Sequence, residues 1–207
     1  MKSHFLKPNQ PNELVSELID LFKTDGQLLI AVAYFNSKVF ADLIIERFHN
    51  KQKTLLLLNT SDLIRPQKIG DSEIAISAPL MELILADTKQ NYIHIRTLGI
   101  RAKSKYQNMH HKFFLNNKKL IFGSLNLTKA ALNSNYESVI STNDRKLIFD
   151  FHKEFGILWS DGIELYAGSR YNELRTLMCP ICEINDYIDF ESFGPFCSGC
   201  GHKFSIK

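Results

Sequence analysis

Apolar residues recur along this chain in two rhythms, one at helical spacing and one in short continuous runs. Leu14, Leu18, Ile19 and Phe22 share one face of a helix that Asn12 can cap and that runs to about Thr24. Asp25-Gly26 stops it, and Leu28 to Tyr34 follows as a continuous apolar run of the buried-strand kind. A second helix starts at Ser37, with Val39, Phe40, Leu43, Ile44 and Phe48 inward, and Thr54 to Leu58 reads as a second buried strand. Residues 60–78 carry no clear rhythm, and Asp62 to Asp71 is expected to be a loop. Leu80 to Ala86 is predicted as a helix and Tyr92 to Leu98 as an alternating strand. Strands alternating with helices predict an α/β fold, a layered mixed β-sheet flanked by helices.

The second half changes character. Gly99 to Asn108 is polar and basic, an expected exposed loop leading into His110-His111-Lys112. Asn116-Asn117-Lys118 is a tight-turn sequence, because asparagine tolerates left-handed backbone, so His110–Leu115 and Leu120–Gly123 are predicted to form a hairpin. In such a strand His110, Lys112 and Phe114 share one face, and His111, Phe113 and Leu115 the other. Thr128 to Leu132 then starts a short helix, Glu137 to Ser141 is a strand, and Asp144 to Trp159 is a closing amphipathic helix.

That register sets an imidazole beside an ammonium, a fit pair for an anionic substrate. The lysine can neutralise phosphate oxygens while neutral imidazole acts as nucleophile or base. Ser124 and Asn126, in Gly123-Ser124-Leu125-Asn126, add a hydroxyl and an amide as hydrogen-bond partners. This residue set can hold a phosphate diester and attack its phosphorus without a catalytic metal. His111 reads as a packing or surface histidine, His49, His94 and His152 as structural, Trp159 and the phenylalanines as core, and Lys118 and Lys119 as turn lysines, with phosphate contact as their alternative.

His110-x-Lys112 followed by Gly123-Ser124-Leu125-Asn126-Leu127-Thr128-Lys129-Ala130-Ala131 resembles the phospholipase D superfamily, in particular its small bacterial nucleases with one motif copy per chain. Tyr136-Glu137 falls where those nucleases carry a glutamate on a strand, and Leu28 to Phe35 is similar to their first core strand. The signature aspartate is missing; Asn116 and Asn117 occupy its neighbourhood, and the interval to Gly123 is one residue short. The resemblance covers roughly residues 10–160. It implies catalytic roles for His110, Lys112, Ser124, Asn126 and Glu137, the glutamate orienting a histidine. It also implies a homodimer placing two copies of His110 face to face, a phosphohistidine intermediate and no catalytic metal.

Composition narrows the partners. The chain has 207 residues, 44% hydrophobic and 23% charged, with a formal charge of +3. These values suit one ordinary soluble domain plus a small appendage. From Thr88 to Tyr136 there is no Asp or Glu, while Lys89, Arg96, Arg101, Lys103, Lys105, Lys112, Lys118, Lys119 and Lys129 all lie there. An acid-free basic window around the motif favours a nucleic-acid partner. No apolar stretch suits a signal peptide or a membrane span, and the expected location is cytoplasmic.

All four cysteines fall near the C-terminus, as Cys179-x-x-Cys182 and Cys197-x-x-Cys200. Two such turns complete a tetrahedral thiolate site, so these residues are expected to bind one structural zinc ion in a ribbon with a hairpin between the pairs. His202 reads as a surface residue. The expected division is a phospholipase D-like nuclease domain over 1–168 and a four-cysteine zinc ribbon over 169–207. The leading expectation is DNA cleavage. RNA or a phospholipid with the same chemistry, a non-enzymatic nucleic-acid-binding module, and an adaptor of a restriction or defence complex stand as alternatives.

Overall fold

The central strands form because their residues are apolar on both faces and must be covered on both. β2 (Leu28–Val32) is buried throughout, and β3 (Thr54–Asn59) nearly so. A computed structural model describes residues 1–8, 10, 13–59, 64–66, 72–74, 77–87, 89–102, 105–165, 187–190 and 194–197.

β2, β3 and β6 (Ile93–Ala102) run parallel at the centre of a nine-stranded mixed sheet. On one side follow the antiparallel strands β8 (Phe113–Leu115), β9 (Leu120–Gly123), β10 (Glu137–Thr142) and the edge strand β1 (Lys2–Leu6). On the other, the two-residue β11 (Ile163–Glu164) pairs with β6, whose distal half also pairs with β7 (Lys105–Asn108). The helices α1 (Glu13–Lys23), α2 (Lys38–His49), α3 (Ala78–Ala86) and α4 (Lys129–Asn133) cover one face. The long α5 (Arg145–Asp161) covers the other. The sheet is therefore the middle layer of three, with a core on each side.

Several expectations change in detail. Leu21, not Ile19, completes the buried face of α1. In α2, Phe40, Ala41, Ile44 and Arg47 are buried, whereas Val39 is exposed. Arg47 has no apolar reason to be inside; its guanidinium donates to the carbonyls of Phe22, Thr24, Gly26 and Lys53 and to the Thr54 hydroxyl. Burial pushes its pKa down, with Asp25 opposing, and the cation staples the α1–β2 turn to α2 and β3. The expected loop over 62–71 contains β4 (Ile64–Pro66), which pairs with β5 (Ser72–Ile74). Likewise Gly99 to Asn108 is not a loop; its described residues form the β6–β7 hairpin, with Ala102 opposite Lys105. Asn12 lies outside the described residues.

Among the described residues no helix is long and apolar enough to cross a membrane. Near the C-terminus β12 (Tyr187–Phe190) and β13 (Gly194–Cys197) pair antiparallel, the hairpin expected between the cysteine pairs. Cys179, Cys182 and Cys200 lie outside the described residues.

Candidate active site

The chemistry-bearing residues gather where β2, β3, β6 and β9 end and β8 and β10 begin. Open α/β sheets place their ligands at the carboxyl ends of parallel strands. The chain enters there tethered: buried Asn59, at the end of β3, donates from Nδ2 to Asn108 Oδ1 at 3.2 Å, and Met109 is buried.

His110, His111 and Lys112 are not part of the strand. The ladder with β2 ends at Ala31 opposite Phe113, and β8 spans only Phe113–Leu115. Lys112 still accepts from Gly123 N–H at 3.1 Å, so its backbone stays beside β9. The alternation survives further on, with Phe114 in the core beneath α1–α4 and Phe113 and Leu115 in the core beneath α5. His111 goes with the latter, its ring edge-on to Phe113 at 6.0 Å and its Nε2 3.7 Å from Glu154. His110 is exposed, whereas Lys112 is buried, its ammonium donating to the His110 carbonyl at 2.8 Å. Burial pushes the Lys112 pKa down, and the negative charge of Glu137 partly restores it.

The second half of the motif is built by close backbone approach. Gly123 has φ +156°, and a Cβ there would lie 2.2 Å from the Ser138 carbonyl oxygen and 2.8 Å from Val139 Cα. Only glycine fits. Ser124 N–H then donates to Ser138 O at 3.0 Å, and Ser138 N–H returns a bond to Ser124 Oγ at 3.0 Å. With Oγ already accepting, its proton goes to Glu137 Oε2. Asn126 Oδ1 accepts from Ala33 N–H at 3.1 Å and Tyr34 N–H at 3.2 Å. These two bonds fix which end of the amide is oxygen and turn its NH2 into the donor available to an anion. Leu127 O accepts from Asn36 and Ser37, tying the loop to the chain beyond β2.

The arrangement therefore offers an accessible imidazole, a partly desolvated ammonium and an amide donor beside a buried carboxylate. Two sequence expectations shift. The Ser124 hydroxyl is committed to Glu137 rather than free for an anion, and the oxygens of Glu137 meet Ser124 and Asn135, the latter donating from Nδ2 at 3.2 Å. Nothing in the sequence pattern marks Asn135 for this contact.

Asn116, in the neighbourhood of the missing aspartate, holds a turn. Its Oδ1 accepts from Lys118 N–H at 2.8 Å and Lys119 N–H at 2.9 Å, and its Nδ2 donates to Thr24 at 2.6 Å. It is buried and holds the β8–β9 turn, at the far end of β8 from Lys112, whereas Asn117 is exposed.

The basic window divides. Lys118 and Lys129 are exposed, but Lys119 pairs with Glu17 at 2.8 Å. Arg96 donates to Trp159 O at 2.7 Å and lies over its ring. Trp159 stacks on Phe155. His94 Nε2 and His152 Nε2 are buried without a hydrogen-bond partner among the described residues, and burial pushes the His94 pKa down.

Comparison with known proteins bears on this geometry. The family model described as cardiolipin synthase, PLD-like domain, matches residues 18–159. A mitochondrial cardiolipin hydrolase of Danio rerio is 40% identical over 87 residues, 39% of this chain and 38% of that protein. The match thus spans about two fifths of that relative's length. NucT from Helicobacter pylori superposes with a TM-score of 0.61 at 18% identity, covering 79% of this chain and 98% of that one. Nuc from Salmonella typhimurium, a phospholipase D family member, gives 0.57 at 17% identity, covering 80% and 99%. At such identities the two structures attest to the fold, while the family match covers most of the described sheet and the whole of the motif. The chain belongs to the family described as cardiolipin synthase, PLD-like domain.

Proposed function

We propose that this protein is a metal-independent endonuclease that cleaves DNA from an active site assembled between two copies of the chain. The observation that carries the reading is the pairing of exposed His110 with buried Lys112, whose ammonium is held on the His110 backbone. In the first step His110 attacks phosphorus through a neutral ring nitrogen, forming a P–N bond as the P–O bond to the leaving strand breaks. The partner's His110, protonated, gives its proton to the leaving oxygen. Water then attacks the phosphohistidine, the partner's His110 takes its proton, and the P–N bond breaks to leave a phosphate monoester. Lys112 and the Asn126 NH2 hold the nonbridging oxygens, while Glu137 secures Ser124 and supports the charge of Lys112.

The acid-free basic window favours a nucleic acid over a lipid as the anion, with Lys129 exposed just beyond the Gly123–Asn126 segment. One observation favours a second reading: the curated relative in Danio rerio is a cardiolipin hydrolase, so a phospholipid diester is the competing substrate. Cys179, Cys182, Cys197 and Cys200 would hold one zinc ion, which would supply folding energy to a segment too small for its own core. The β12–β13 hairpin, ending at Cys197, and the four-thiolate donor set fit that role.

The test is cleavage of single- and double-stranded DNA, RNA and cardiolipin vesicles side by side, with EDTA present, alongside sedimentation of the pure protein. DNA cleavage by a dimer supports the proposal. Cleavage of cardiolipin alone transfers it to lipid, and loss of all cleavage on separating the protomers is expected. A monomer with full activity overturns the shared site.

A further inference from the structure

The carboxylate of Glu137 is buried and has a separate donor on each oxygen: the Ser124 hydroxyl on Oε2 and Asn135 Nδ2 on Oε1 at 3.2 Å. We propose that Asn135 is a positioning residue that fixes the plane of the Glu137 carboxylate, and through it Ser124. This rests on the diester-cleaving reading above and adds a residue to its machinery.

The terminal torsion of glutamate is soft, and a single hydrogen bond leaves it free to rotate. Ser124 alone is such a pivot. A second donor on the other oxygen removes the rotation, and a buried carboxylate left one donor short would bear an uncompensated cost.

Asn135 is itself held by backbone. The N–H groups of Ser134 and Asn135 both donate to the Ala130 carbonyl, at 2.8 and 3.0 Å, closing the end of α4. The start of α4 is fixed as firmly, with Thr128 Oγ1 accepting from Ala131 N–H at 3.1 Å and Lys129 N–H donating to Asn36 Oδ1 at 3.0 Å. A short helix that looks like a mere connection thus carries the donor from the chain beyond β2 to the first residue of β10. Asn135 is exposed while Glu137 is buried, so the amide closes the outer side of the carboxylate.

The experiment uses the full chain and bis(p-nitrophenyl) phosphate. Asn135→Ala is expected to lower kcat/KM about tenfold, the effect of one lost hydrogen bond to a charged group. In a Glu137→Ala background the same change should have no further effect, because nothing is left to hold. Asn135→Asp keeps the shape but offers an oxygen in place of the NH2, and is expected to lose as much. Wild-type rates in Asn135→Asp, or an equal loss in both backgrounds, would overturn the proposal in favour of a role in shape alone. A crystal structure of Asn135→Ala decides the point without activity: Glu137 should rotate off its position, and an unmoved carboxylate sinks the inference. If the wild type cleaves no diester, the functional reading fails while that structural outcome still stands.

Discussion

The ammonium of Lys112 donates to the carbonyl oxygen of His110 at 2.8 Å, so the cation and the residue bearing the imidazole are locked into one local unit. Such a cation is useful to a phosphate only while charged. Burial pushes its pKa below the ordinary 10.5, and Glu137 pushes it partly back. Removing that negative charge in Glu137→Gln therefore lets Lys112 fall further. The alkaline limb of kcat/KM for bis(p-nitrophenyl) phosphate is expected to move to lower pH than in the wild type. A limb that stays in place would remove Lys112 from the titration that controls activity.

His110 is exposed, so its ring contributes little to the core, and His110→Ala should fold and melt as the wild type does. Diester cleavage is expected to drop by at least about a thousandfold, because the attacking group itself is removed. Circular dichroism with a single-turnover assay measures both. Full activity in a folded variant excludes the proposed attack.

At Gly123 the backbones of β9 and β10 lie too close to admit a Cβ, and the constraint is steric rather than chemical. Gly123→Ala puts a Cβ 2.2 Å from the Ser138 carbonyl oxygen at a positive φ. The expected loss is roughly 3 kcal/mol, or a melting temperature lower by about 6–12 °C for a chain of this size. Activity should fall with it, since Ser124 rides on the displaced strand. A melting curve superposable on that of the wild type would show that the backbone yields more easily than this geometry allows.

How much of this was written in the sequence depends on what carries each element. α1, α2, β2 and β3 announce themselves because burial on one or both faces dictates their apolar residues. β1 does not: at the sheet edge only His4 and Leu6 turn inward, and Lys2, Ser3 and Phe5 are exposed. The β6–β7 hairpin was equally silent, because its pairing runs through backbone groups while its basic, polar side chains suggest a loop. At the motif, residue identities were legible and the conformation was not. Alternation extends the expected strand to His110, but the ladder with β2 ends at Ala31, leaving residues 110–112 no partner on that side. Asn135 was missed because an amide holding a carboxylate leaves no periodic trace.

Zinc is expected at one ion per chain, held by Cys179, Cys182, Cys197 and Cys200. Elemental analysis of protein purified without added metal measures it. Cys182→Ser should lose the ion, and a chain ending near Ser169 should lose it entirely while keeping the fold of residues 1–165. Zinc retained by that shortened chain would place the metal elsewhere.

Glu17 on α1 accepts from Lys119 at 2.8 Å and lies 3.5 Å from His4 Nε2, so one carboxylate joins α1 to β1 and to the β8–β9 turn. Burial raises its pKa, but hydrogen bonds from Lys119 and Ser141 and the charges of Lys119 and His4 outweigh this and hold it at about 2, against an ordinary 4.5. A carboxyl group that binds its proton more weakly when folded stabilises the fold above its unfolded pKa. That contribution fades as pH falls toward the folded value. Urea unfolding at about pH 5 and about pH 3 should therefore show a larger loss for the wild type than for Glu17→Gln, which has no proton to take up. Because His4 and Ser141 bond at 3.0 Å across the β1–β10 pair, the protection of β1 amides, taken relative to their intrinsic exchange rates at each pH, should fall first as the wild type is acidified. Equal losses in the two proteins would mean that Lys119 and His4 find other partners, and that the edge strand is held by its ladder alone.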